Sequence, residues 1–92
     1  MFTGLIEGVG SVADLTPLAS GYRLHVRTPL AAGLAAGDSL AVDGVCLTVT
    51  HTDGAEVHAD VGPETARITA LGLLRRDQPV NLERAMRADS RV

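Results

Sequence analysis

The stretch Gly37-Asp38-Ser39-Leu40-Ala41-Val42-Asp43-Gly44-Val45-Cys46-Leu47-Thr48-Val49-Thr50 decides the fold. Two extended runs, Ser39 to Val42 and Val45 to Thr50, meet at Asp43-Gly44, a dipeptide that readily takes the positive φ of a tight hairpin turn. Strand side chains alternate between faces. Val45, Leu47 and Val49 therefore fall on one side of the second strand, and Cys46, Thr48 and Thr50 on the other. One face is apolar and the other carries a thiol and hydroxyls.

Working outward, turn signals recur about every ten residues, the spacing of an all-β barrel or sandwich. A first strand is expected from Gly4 to Leu15, bent at Gly8 and Gly10. Thr16 to Gly21 reads as a turn, and Tyr22 to Thr28 alternates as a second strand ended by Pro29. Leu30 to Ala36 is Ala/Leu-rich and predicts one or two helical turns closed by Gly37. Beyond the hairpin, His51 to Gly54 is expected to turn and Ala55 to Val61 to form a fifth strand. Ile68, Leu71 and Leu74 behind Pro63 predict a helix over Glu64 to Leu74. Gln78 to Glu83 completes six strands. The expected fold is a six-stranded antiparallel barrel with a short capping helix, closed so that no strand edge is left open.

The chain has 92 residues, enough for one compact domain. Apolar residues make up 46% of it, but the aromatics are only Phe2 and Tyr22, so the core is built from Val, Leu, Ile and Ala. Net charge is -3, and the basic residues are all arginines scattered along the chain. That pattern argues against a nucleic-acid partner. A single cysteine excludes an internal disulfide and, without Cys/His company nearby in sequence, gives no metal signature. No run approaches the roughly 20 apolar residues of a membrane helix, and no leader is evident, so a soluble chain in a reducing cytoplasm is expected. His25, His51 and His58 fall on strands or turns with no sequence reason to converge, and read as surface residues.

Four segments resemble one family: Met1 to Glu7 (Met-Phe-Thr-Gly-Leu-Ile-Glu), Gly37 to Thr50, Glu64 to Thr69 (Glu-Thr-Ala-Arg-Ile-Thr) and Val80 to Ala85 (Val-Asn-Leu-Glu-Arg-Ala). In this order and spacing they are similar to the N-terminal barrel of riboflavin synthase. The resemblance implies a Greek-key barrel over residues 1–86, with 87–92 an exposed tail or linker toward a second barrel outside this chain. It implies an enzyme, a transferase, that converts two molecules of 6,7-dimethyl-8-ribityllumazine into riboflavin and 5-amino-6-ribitylaminouracil. No metal and no redox cofactor is implied. The family works as a homotrimer, with each active site between two barrels, and the isolated barrel is expected to bind ligand, turn over little and pair with itself as a homodimer. The runner-up is a non-catalytic single-barrel flavin or lumazine carrier.

Carried over by position, the resemblance places the ring against Gly4, Leu5 and Ile6, against Cys46, Leu47 and Thr48, against Asp60, Val61, Gly62, Pro63, Glu64 and Thr65, and against Ile68. It gives Phe2, Ser39 and Cys46 roles in the chemistry. The residues alone say less. A lone thiol on a barrel strand is ordinarily a small buried hydrophobe, Ser39 a hairpin residue, Phe2 a staple on the core, and Glu64 a carboxylate at a helix start.

Overall fold

A computed structural model describes residues 2–85 of the chain. Six strands, β1 (Gly8–Pro17), β2 (Tyr22–Arg27), β3 (Ser39–Val42), β4 (Val45–Asp53), β5 (Glu56–Val61) and β6 (Pro79–Arg84), close into a barrel in the order β1-β2-β5-β4-β3-β6. Every pairing is antiparallel. The Asp43-Gly44 hairpin forms as read, with φ of 49° and 82°. The interior is filled by alternate strand residues, among them Val12, Leu24, Val26, Leu40, Val42, Val49, Val57, Val80 and Leu82. Aliphatic side chains of this size close a narrow barrel without aromatics.

Two helical connections seal the core. Thr28 caps a 3-10 turn over Pro29–Gly33, accepting from the Leu30 N–H at 3.1 Å, and Ala31 and Leu34 are buried behind it. The predicted Glu64–Leu74 helix is two pieces: α1 (Pro63–Ile68), then a 3-10 turn over Ala70–Leu73. Thr69 causes the break. It is extended (φ -123°, ψ 171°), and its hydroxyl donates to the Thr65 carbonyl at 2.7 Å while accepting from the Leu71 N–H. The reset turns Leu71 and Leu74 into the core and leaves Ile68, the third residue of the periodic stripe, exposed.

Strand limits differ most from expectation in β1 and β4, and by a single residue at the ends of β2, β5 and β6. β1 begins at Gly8 and continues through Pro17, so the turn is only Leu18 to Gly21. β4 extends through His51 to Asp53, where a turn was expected, because the reversal is made by Gly54 at φ 61°. Two bulges interrupt the ladders, between Val12 and Asp14 in β1 and between Val49 and His51 in β4. An extra residue in one strand exchanges its inward and outward positions from there on. The expected tail at residues 87–92 lies outside the described residues.

Candidate functional site

Cross-strand partners share a face, and the β6-β3-β4 register sorts this region into two rows. Leu82, Val42 and Val45 point inward in one row. In the adjacent row Glu83 pairs with Ala41 and Ala41 with Cys46, while Ser39 pairs with Thr48 one step along, all directed outward. Cys46 and Thr48 are exposed and Ser39 is half-buried. Cys46 is a free, exposed cysteine, on the face where strand alternation put it and not the small buried hydrophobe that a lone thiol ordinarily is. Leu47, 5% exposed, and Val61, 1% exposed, turn their side chains into the barrel. Only their backbones are available to a ligand.

The N-terminal segment is laid over this outer surface. Glu83 holds it, its carboxylate accepting from the Thr3 N–H at 2.5 Å, the Thr3 hydroxyl at 2.7 Å and the Gly4 N–H at 3.1 Å. Chiefly the Thr3 N–H, then the Thr3 hydroxyl, keep the Glu83 carboxyl below its ordinary pKa, with Gly4 adding to this. Glu7 fixes the other end of the segment, paired with Arg84 at 2.8 Å. Gly4 and Ile6 thereby meet Ala41, Gly44 and Glu83 around a notch of about 90 Å³. Phe2 is half-buried at the start of this segment. Glu83 was missed by sequence reasoning; its signal was an acid next to buried Leu82 in an otherwise ordinary strand.

The remaining expected residues lie where β4 and β5 part. Their ladder ends at the pair Val49–Ala59, which leaves Cys46 to Thr48 and Asp60 to Thr65 at the same end of the two strands. Gly62 is the N-cap of α1 and gives its first turn no side-chain hydrogen bond. Glu64 stands in that turn as read, but is also paired with Arg67 at 2.5 Å. Asp60 is engaged by Arg23 at 2.8 Å. Leu5, Ile6 and Ile68 are 72%, 60% and 66% exposed, unusually open for side chains of their size. Pro63 also borders a separate groove of about 520 Å³ with Leu18, Tyr22, Ala66 and Leu73.

The histidines do converge. His25 pairs with His58 across β2 and β5, their rings stacked with centroids 3.9 Å apart, and His51 lies against His58 at 5.2 Å. Burial lowers the pKa of His25 from its ordinary value and neighbouring His58 adds to that, against opposing effects of Asp14 and Glu56.

A sequence profile describing the lumazine-binding domain matches residues 3–85. The chain belongs to the lumazine-binding domain family. The domain is similar to the riboflavin synthases of Actinobacillus pleuropneumoniae (44% identical over 92 residues, 99% of this chain and 43% of that one) and of Mycobacterium tuberculosis strain H37Rv (45% over 95 residues, 100% and 47%). It is likewise similar to the riboflavin synthase of Schizosaccharomyces pombe (39% over 94 residues, 100% and 45%). This lumazine-binding domain thus spans less than half the length of the curated relatives it matches. In fold it resembles LumP, solved in complex with 6,7-dimethyl-8-(1'-D-ribityl)lumazine, with a TM-score of 0.84 at 22% identity over 90% of this chain and 48% of that one. Both the resemblance read from the four motifs and the six-stranded barrel are borne out. Among the described residues no helix is long and apolar enough to cross a membrane.

Proposed function

We propose that this domain binds the ring system of 6,7-dimethyl-8-ribityllumazine, or of riboflavin, on the outer surface of β3–β4, between the N-terminal segment and the end of β5 that leads into α1. The observation that carries this reading is the outward row of β6, β3 and β4, which sets Cys46 beside Ala41 and Thr48 beside Ser39, with Gly4 and Ile6 strapped against Ala41 and Glu83 of the same row. Backbone groups of Leu47, Val61 and Gly62 to Thr65 suit the lactam edge of a planar ring, with Pro63 lacking an N–H. Thr48, Thr65 and Glu64 suit the hydroxyls of a ribityl chain. Leu5, Ile6 and Ile68 offer apolar contact to its faces.

The notch beside Gly4 is far smaller than the roughly 300 to 1,000 Å³ of an enclosing small-molecule site. A ring on this surface leaves one face open. We assign the domain, over residues 1–86, to one half of a riboflavin synthase site, in which a second barrel brings a second lumazine face to face with the first. A four-carbon unit then passes from one lumazine to the other, giving riboflavin and 5-amino-6-ribitylaminouracil. Donor and acceptor are the same compound, so the exchange balances without an external oxidant and calls for no metal or redox cofactor. Alignment of two such reactants is worth roughly 7 to 11 kcal/mol. Cys46 and Ser39 serve to polarise or position the ring or a water, and Phe2 reaches the reacting edge.

The 92-residue chain alone binds and turns over little, pairs with itself through the exposed ring face, and works in the cytoplasm with no nucleic-acid or membrane partner. Titration with riboflavin, followed by quenching of its fluorescence, tests the reading, and no saturable binding at micromolar riboflavin overturns it. Sedimentation in the same titration is expected to show dimers; a strict monomer at saturating riboflavin removes the self-pairing. Binding with no turnover even beside a second barrel would leave the carrier reading instead.

A further inference from the structure

On the outer wall formed by β2, β5 and β4, away from the ring-binding end of β4, four polar residues stand in one line across four strands. Asp14 pairs with His25, His25 with His58, and His58 with His51. Both bulges are needed for this line: without them Ala13 would face His25, and His51 would share the inward side of Val45, Leu47 and Val49. Glu56, two residues before His58 on the same side of β5, reaches both flanking imidazoles. Its Oε1 lies 3.4 Å from His58 Nε2 and 3.9 Å from His25 Nδ1. The donor atoms of His25, Glu56 and His58 all fall within 4.8 Å of one another, and all three residues are half-buried.

We propose that His25, Glu56 and His58 form a binding site for a divalent transition-metal ion of the zinc class, with the fourth position facing solvent beside His51. Ligand atoms about 2.0 to 2.1 Å from a tetrahedral Zn²⁺ sit about 3.4 Å from each other. One of the two Glu56 separations already has that value and the other needs a closure of about half an ångström. The His25 and His58 rings are stacked at 14°, so one imidazole must turn about χ2 out of the stack to bring its nitrogen, within 4.8 Å of the other, onto a shared ion. Two imidazoles and a carboxylate are the nitrogen and oxygen donors that borderline ions prefer over the all-oxygen set favoured by Mg²⁺ or Ca²⁺. Three ligands on two adjacent, hydrogen-bonded strands cost little ordering. The site is separate from the ring surface, so the inference does not depend on the proposed function.

Calorimetric titration of the metal-free chain with Zn²⁺, in a Cys46→Ser background that removes the exposed thiol, is expected to show one saturable site of micromolar affinity. His58→Ala or His25→Gln should weaken it at least about 10-fold, since loss of even an outer-shell partner costs that much. Co²⁺ as a probe should give tetrahedral d–d bands, and Zn²⁺ should shift the ring resonances of His25 and His58 in NMR spectra. Glu56→Gln provides a third variant if a histidine replacement fails to fold. Absence of saturable Zn²⁺ binding overturns the proposal, as does binding of unchanged strength in the folded variants. Equal affinity for Mg²⁺ would overturn it as well.

Discussion

Adjacent residues Leu47 and Thr48 face opposite sides of β4, so truncating each to alanine separates the core from the proposed ring surface within one peptide unit. Leu47 is 5% exposed and packs in the barrel interior. Leu47→Ala removes three carbon groups, about 0.8 kcal/mol each in transfer free energy, and the closed barrel relaxes poorly around the hole. The expected loss is about 3 kcal/mol. For a chain of this length that lowers the melting temperature by about 12 to 24 °C. Thr48 is exposed, so Thr48→Ala should alter stability by no more than about 0.5 kcal/mol. It should nonetheless weaken riboflavin binding by one hydrogen bond, about 0.5 to 1.5 kcal/mol, or roughly 2- to 12-fold in Kd. Urea unfolding gives the first quantity and riboflavin fluorescence the second. If Leu47→Ala melts like the parent chain, or Thr48→Ala destabilises strongly, the face assignment of β4 is wrong. Unchanged riboflavin affinity in a stable Thr48→Ala removes Thr48 from the site.

Gly21, at φ 84°, presents its backbone where an added Cβ would meet the Val61 carbonyl oxygen at 2.1 Å. The φ alone costs alanine about 1 to 2 kcal/mol, and the contact must push the Val61–Gly62 junction away, so Gly21→Ala should lose both stability and riboflavin affinity; a neutral result on both would refute this close approach. Glu83→Gln should accelerate hydrogen exchange at Thr3 and Gly4. Because the Glu83 pKa lies below its unfolded value, its stabilisation is complete above the ordinary carboxylate range and is lost as pH falls through the folded value; the Gln variant should lack that part of the acid dependence, and parallel pH profiles would refute the anchoring role. Cys46 should react fully with a thiol reagent in the native protein, and more slowly with riboflavin bound. A native thiol that reacts only after unfolding would contradict its exposure.

Most of the barrel was legible because its strands obey local rules. Asp43-Gly44 required positive φ and obtained it, and Val45, Leu47 and Val49 alternate inward as their hydrophobicity dictates. The two-part link after β5 was not legible, since Ile68, Leu71 and Leu74 keep helical spacing through Thr69. A threonine can serve either as a helix residue or as the cap of a new turn, and here the depth at which Leu71 and Leu74 must sit selects the cap. The outward placement of Cys46 and Thr48 followed from alternation. Glu83 could not be placed the same way, because its partners Thr3 and Gly4 are some 80 positions away in sequence.

The histidines show where period-2 reasoning stops. Counting from Val49, His51 should turn inward, and counting from Val12, Asp14 should face Leu24 rather than His25. Each bulge breaks the count once, and a single break changes every later residue on its strand from core to surface or back. The unpaired residue of the β4 bulge, Thr50, is secured by its hydroxyl donating to the His58 carbonyl at 3.1 Å, which ties the irregularity to the strand it faces. No pattern in the sequence marks either bulge, because the selecting interactions lie across the ladder. The same bulge lets β4 serve two surfaces: its first half presents Cys46 and Thr48 beside the N-terminal segment, and its second half presents His51 to the β2–β5 wall. A regular β4 would place His51 in an apolar interior with no partner, at a cost of several kcal/mol. The bulge is therefore what makes a histidine compatible with that position.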